Sequence, residues 1–154
     1  MGSKSNRRAQ SLVEFAMVAP LFFLLIFGII DFGRVYFTQA TIQHALREAG
    51  RFAVTGNRLP GTNPATGQPY TRVESIIEVA RKAAVGADIT GITVSSQAGG
   101  ANHAGGPGDR VTVSITATVR IITPIIGQFF PNGRHTFTAR TTFRNEPFNP
   151  SQTL

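Results

Sequence analysis

Few side chains here are able to do chemistry: eight Asp and Glu, three His and no Cys in 154 residues. Glu74 and Glu78 stand four apart, a spacing that puts two carboxylates on one face of a helix. Such a pair works as general acid and base only where neighbours drive the two pKa values apart. No such partner stands beside them, so they read as a solvated helix face. His44, His103 and His135 lack the spacing of metal ligands. His44 lies in helical sequence, His103 in a Gly-rich stretch, and His135 at the start of an alternating segment. Without Cys there is no thiolate metal site, Cys nucleophile or disulfide. "AGG" and "GPGD" lack the Lys and Ser/Thr of a phosphate loop. The chain reads as a non-enzyme without metal or cofactor.

Glu14 is different in kind. It sits in "LVEFAMVAPLFFLLIFGII", where residues 12–30 carry this one charge. As a helix these residues span about 28 Å, close to the hydrocarbon thickness of a bilayer. A carboxylate there costs on the order of a few kcal/mol unless it has a partner or reaches the headgroups. Its chemistry is therefore electrostatic: it waits for a cation or the membrane edge.

The flanks support a membrane span. Lys4, Arg7 and Arg8 precede the run, and "DFGRVYF" follows it without a small-residue cleavage site. The segment is expected to stay in the protein, with the N-terminus cytoplasmic and the chain beyond Asp31 on the far side. Formal charge is +7, but beyond those three residues twelve basic side chains face eight acidic ones without clustering. That pattern lacks the footprint of a nucleic-acid binder. Pro20 should kink the helix or melt it locally. Gly28 and Gly33 are places where another helix can come close, or where Gly is merely tolerated.

Helical sequence continues past the span. Val35, Ile42, Ala45, Leu46, Ala49, Phe52 and Ala53 recur at three- and four-residue steps. One helix from about residue 11 to 54 follows, with its second half amphipathic. Asp31–Arg34 and Glu48–Arg51 have the spacing of weak surface pairs. "TGNRLPGTNPATGQPY" is a loop, and Val73, Ile76, Ile77, Ala80 and Ala84 stripe a second helix over about 71–85. "ITGITVSSQ" is a short strand and "AGGANHAGGPGD" a flexible loop. "RVTVSITATVRI" and "RHTFTARTTFR" alternate, with Val111, Val113, Ile115, Ala117, Val119, Phe137, Ala139 and Phe143 on the apolar side. Between them "IITPIIGQFFPNG" offers Ile125, Ile126, Phe129 and Phe130 as an exposed patch that either meets a partner or caps the sheet edge.

The fold class is α+β: a long N-terminal helix whose first half is transmembrane, a second amphipathic helix, and a small three-stranded antiparallel sheet covering both stripes. The segments are 1–9, a basic leader; 10–33, the transmembrane helix; 34–55, its extracytoplasmic continuation; 56–70, a loop; 71–145, a small α+β domain; and 146–154, a tail.

"RRAQSLVEFAMVAP" resembles the N-terminus of type IV pilin-like proteins. "VEFAMVAPLFFLLIFGIIDFGR", "ALREAGRFAV" and "TATVRIITPIIGQFFPNG…FTARTTFRNEP" resemble the TadE-like family of the tight-adherence (Tad/Flp) system across most of the chain. The resemblance implies a pilin-like fold and a leader cut by a prepilin peptidase between Ala9 and Gln10, with Ala9 standing where Gly is usual. Glu14 becomes the fifth mature residue, and with Phe15 and Pro20 marks the assembly segment. The cut creates an ammonium at Gln10 that Glu14 can neutralise, on its own chain or a neighbour's. Partners would be other pilin-like subunits and the pilus assembly platform, in the bacterial inner membrane or an extracellular pilus. Two readings stay open: a minor pilin or pseudopilin that is trimmed and assembled, and a permanently anchored accessory protein that keeps its leader.

Overall fold

α1 (Ser3–Val54) is a single helix of 52 residues. It begins before the expected start because Lys, Arg and Ala in the leader, and Gln10 after it, are good helix formers and no breaker intervenes. A computed structural model describes residues 3–149, with side chains from residue 9 onward; residues 1–2 and 150–154, the ends of the expected leader and tail, lie outside the described residues. The helix runs unbroken through Pro20, so the local melting expected there is absent.

After the loop comes α2 (Arg72–Ala83), started by a capping box. The Thr71 hydroxyl accepts from the Glu74 N–H (3.2 Å), and the Glu74 carboxylate accepts from the Thr71 N–H (2.8 Å). Two orphan donors of the first turn are thus satisfied. Then follow β1 (Ile89–Ser96), β2 (Gly100–Ala101), β3 (Arg110–Arg120), α3 (Pro124–Gly127) and β4 (Arg134–Arg144). The sheet order is β2-β1-β3-β4.

The sheet has four strands, not the three expected. The added one is β2, pairing Ser95 with Ala101 and Ser96 with Gly100 inside the stretch read as a flexible loop. Two residues without alternation carry no strand pattern, and the pairing rests on backbone alone. Gly100 and Asn102 take positive φ values of 72° and 56°, a conformation Gly adopts freely and Asn tolerates. The loop is pinned as well: His103 Nδ1 meets the Gly105 N–H at 2.9 Å and the Ser96 hydroxyl at 3.2 Å.

The chain forms two units, one of residues 1–36 with 120–135, the other of residues 37–119 with 136 onward. The core lies in the second. Ile42, Ala45, Leu46, Ala49 and Ala53 of α1 join Ile76 and Ala80 of α2, and Val94, Val111, Val113, Ile115 and Ala117 of β1 and β3. Phe137 and Ala139 pack at its margin. Phe143 lies so close over Gly50 that a Cβ there would enter its ring, which explains an interior helix Gly despite its cost in propensity. The opposite side of β3 and β4 is a ladder of hydroxyls, Thr112–Thr142 (2.8 Å), Thr116–Thr138 (2.8 Å) and Thr118–Thr136 (3.0 Å), the polar face expected from the alternation.

The second unit contains one buried cation. Arg72 donates to the carbonyls of Ala53 (2.9 Å) and Gly105, and its guanidinium lies 4.6 Å over the Phe148 ring. Ala53 O is an orphan carbonyl of the last turn of α1, where a cation also meets the negative end of the helix dipole. Burial, and secondarily Arg58, lower the Arg72 pKa from its ordinary value, leaving it a cation. Asn145 donates its Nδ2 to the carbonyls of Ala104 (3.0 Å) and Gly106 (2.8 Å), so the chain after β4 is tied to the loop before β3.

Candidate membrane and assembly surface

Leu12, Val13, Phe15, Met17, Val18, Leu21, Phe22, Phe23, Leu25, Phe27, Ile29 and Ile30 are all exposed. α1 is the one described helix long and apolar enough to cross a membrane, and its most apolar window buries nothing inside the molecule. An all-round apolar surface of this kind needs an apolar solvent or apolar neighbours. Ala9, Gln10 and Pro20 are exposed on the same helix.

Glu14 is exposed and accepts from Gln10 Nε2 at 3.0 Å. One helical turn therefore brings its carboxylate to the residue that would carry the new amine if the chain were cut after Ala9. The structure brings Glu14 and Gln10 together and leaves Phe15 and Pro20 without a shared site.

At the other end of the apolar run, Asp31 holds a site that sequence spacing alone misses. It is a buried carboxylate, 4 % exposed. The Ile122 N–H donates to Oδ1 at 2.8 Å, and the Thr123 N–H (2.8 Å) and hydroxyl (2.6 Å) donate to Oδ2. Arg34, expected as a weak partner three residues on, stands 3.7 Å from the carboxylate and also donates to the Arg120 carbonyl at 2.8 Å. Thr123 immediately precedes α3, whose first residue is Pro124. Pro at the first helical position is a readable helix start; that its free donors meet a carboxylate some ninety residues away is not. The result is a clamp. Asp31 fastens the β3–β4 connection to α1 through charge-assisted hydrogen bonds, the stronger kind.

The expected patch divides. Ile125 (57 %) and Phe129 (82 %) are exposed, whereas Ile126 and Phe130 are half-buried. A Cβ on Gly28 would stand 3.5 Å from Ile126 Cδ1. The near approach at Gly28 is thus made by the chain's own connection, while Gly33 has open space around it. Ile126 and Phe130, with Gly28, Phe32, Val35 and Ile121, line an apolar groove of about 260 Å³. Ile122, 51 % exposed, joins the outer patch.

Several other titratable groups have structural partners. Glu78 pairs with Arg81 (3.4 Å) and Lys82 (3.7 Å), and Arg51 with Glu48 (3.0 Å). Glu74 serves the capping box. His135 meets the Phe130 ring edge-on at 5.6 Å, and His44 is exposed on α1. No group of three or more metal-binding side chains gathers among the described residues.

No curated protein and no solved structure matches this chain. Residues 9–51 match the protein-family model described as TadE-like protein. That stretch holds Glu14, the apolar run, Asp31 and most of the amphipathic half of α1, and over it the chain is similar to the TadE-like proteins.

Proposed function

We propose that the chain is a minor pilin or pseudopilin that takes part in building a Tad-type pilus. The family match ties it to the Tad pilus system in general. The observation that carries the finer reading is the form of α1: a stretch from Leu12 to Ile30 whose large apolar side chains are all exposed but the half-buried Leu24 and Ile26, with one carboxylate at its head. Such a helix is at home in a bilayer before assembly and in a bundle of like helices afterwards. In this reading a prepilin peptidase cuts between Ala9 and Gln10, and the ammonium of Gln10 pairs with Glu14 as subunits leave the bilayer. The opposite charges offset each other's desolvation once both are present, so the pair sets helix register. Phe15 and Pro20 lie on the same packing segment. The chain beyond Asp31, with the sheet, lies on the extracytoplasmic side. Partners are other pilin-like subunits and the assembly platform, and no reaction is catalysed.

One observation favours a second reading, a permanently anchored accessory protein. α1 runs unbroken across Ala9 and Gln10, and proteases prefer exposed, irregular backbone.

Glu14→Ala tests the role of the carboxylate. The variant should enter the membrane fraction at wild-type yield, resist extraction by alkaline carbonate, and lose co-purification with other pilin-like subunits. Normal co-purification would show that the carboxylate does not set register.

A further inference from the structure

We propose that the β3–β4 connection is a second membrane contact: Ile122, Ile125 and Phe129 dip into the headgroup–acyl boundary beside the point where α1 leaves the bilayer. The proposal rests on the reading of residues 12–30 as a span. Its first support is continuity. Asp31 follows the last residue of the apolar run, and its carboxylate holds the backbone N–H groups of Ile122 and Thr123 at 2.8 Å. The connection is therefore fixed at the height of the membrane exit. It is not free to choose its level.

The second support is what the connection presents there. Ile122, Ile125 and Phe129 are 51 %, 57 % and 82 % exposed, and Ile30 and Phe32, which flank Asp31 along α1, are also exposed. The half-buried Ile126 and Phe130 turn toward α1, against Gly28 and Phe32, so the connection has an inner and an outer apolar side. Short apolar segments at an interface bury such side chains ~5–10 Å into the headgroup–acyl boundary.

The third support is charge. Residues 120–135 contain no Asp or Glu, and Arg120 and Arg134 flank the patch. Both are exposed, and Arg34 lies beside the Asp31 clamp. Basic side chains around an apolar patch complement anionic headgroups, with their stems along the apolar zone and their charges at the polar layer. A protein partner would also be apolar, but the pinning of the patch at the exit of a span favours lipid.

The chain contains no Trp, so a single Trp is a clean probe. Phe129→Trp and Phe22→Trp are made separately in the full-length protein and reconstituted in vesicles of phosphatidylethanolamine and phosphatidylglycerol carrying brominated acyl chains. Both positions are exposed and lie outside the core, so neither change reaches it. Trp at position 22 should be quenched most by bromines near the chain ends. Trp at position 129 should emit to the blue of a water-exposed Trp and be quenched most by bromines near the carbonyls. Quenching at 22 with red, unquenched emission at 129 overturns the inference and leaves the anchor standing; the patch then faces solvent or protein. Absence of quenching at both positions overturns the anchor reading and the inference with it.

Discussion

Asp31 is the residue on which most local order turns. Buried donors left without an acceptor cost more than a hydrogen bond contributes when made. Asp31→Ala would strip the acceptor from two backbone N–H groups and one hydroxyl at once. The connection should loosen while the core, which has no member in it, stays folded. Loss of about 2 kcal/mol of local stability corresponds to roughly thirtyfold faster amide exchange at Ile122 and Thr123. Unchanged exchange there would mean the clamp is not what holds α3. The sequence showed Asp31 only as half of an i,i+3 pair with Arg34. Its real partners lie far along the chain, and sequence spacing reports only neighbours within a few turns. Glu14 is the opposite case: its oddity is visible at once as a charge in an apolar run, and its nearest partner, Gln10, is one turn away.

Elements with a period were legible, and elements made of backbone alone were not. α2, β3 and β4 stand within a residue or two of their patterns because side-chain alternation fixes which face is buried. β2 escaped notice because Gly100 and Ala101 have no faces to alternate. The cap of α1 by Arg72 escaped notice because a buried Arg inside an amphipathic pattern looks like a surface residue. The start of α2 gives the element-scale test. The Thr71 N–H and hydroxyl, with help from Asn63, hold the Glu74 carboxyl below its ordinary 4.5. A carboxyl with a lowered folded pKa contributes stability that is complete above 4.5, shrinks as pH falls through the folded value, and is gone below it. Wild type should therefore exceed Glu74→Gln in melting temperature at neutral pH, with the gap closing on acidification below 4.5. Thr71→Ala, which removes the reciprocal half of the box, should cost about 1 kcal/mol. A gap between wild type and Glu74→Gln that stays constant down to about pH 2 would show that the charged form adds nothing to the cap.

At the scale of the whole molecule, one helix serves two environments. Residues 12–30 offer a surface that is apolar but for Glu14, and the second half lends five small or branched residues to a core shared with α2 and the sheet. The α+β class, the long helix and the exposed apolar run were readable because each follows from composition and period over many residues. What the surface assembles with was readable only through resemblance, since an apolar face fits lipid and a neighbouring helix equally well. The central claim is that this helix becomes a packing spine once a charged amine is created beside Glu14. Intact mass spectrometry of the protein purified from membranes that contain the Tad machinery tests it most directly. A chain beginning at Gln10, lighter by residues 1–9, is the expected result; a mass that retains the leader in every molecule would contradict it.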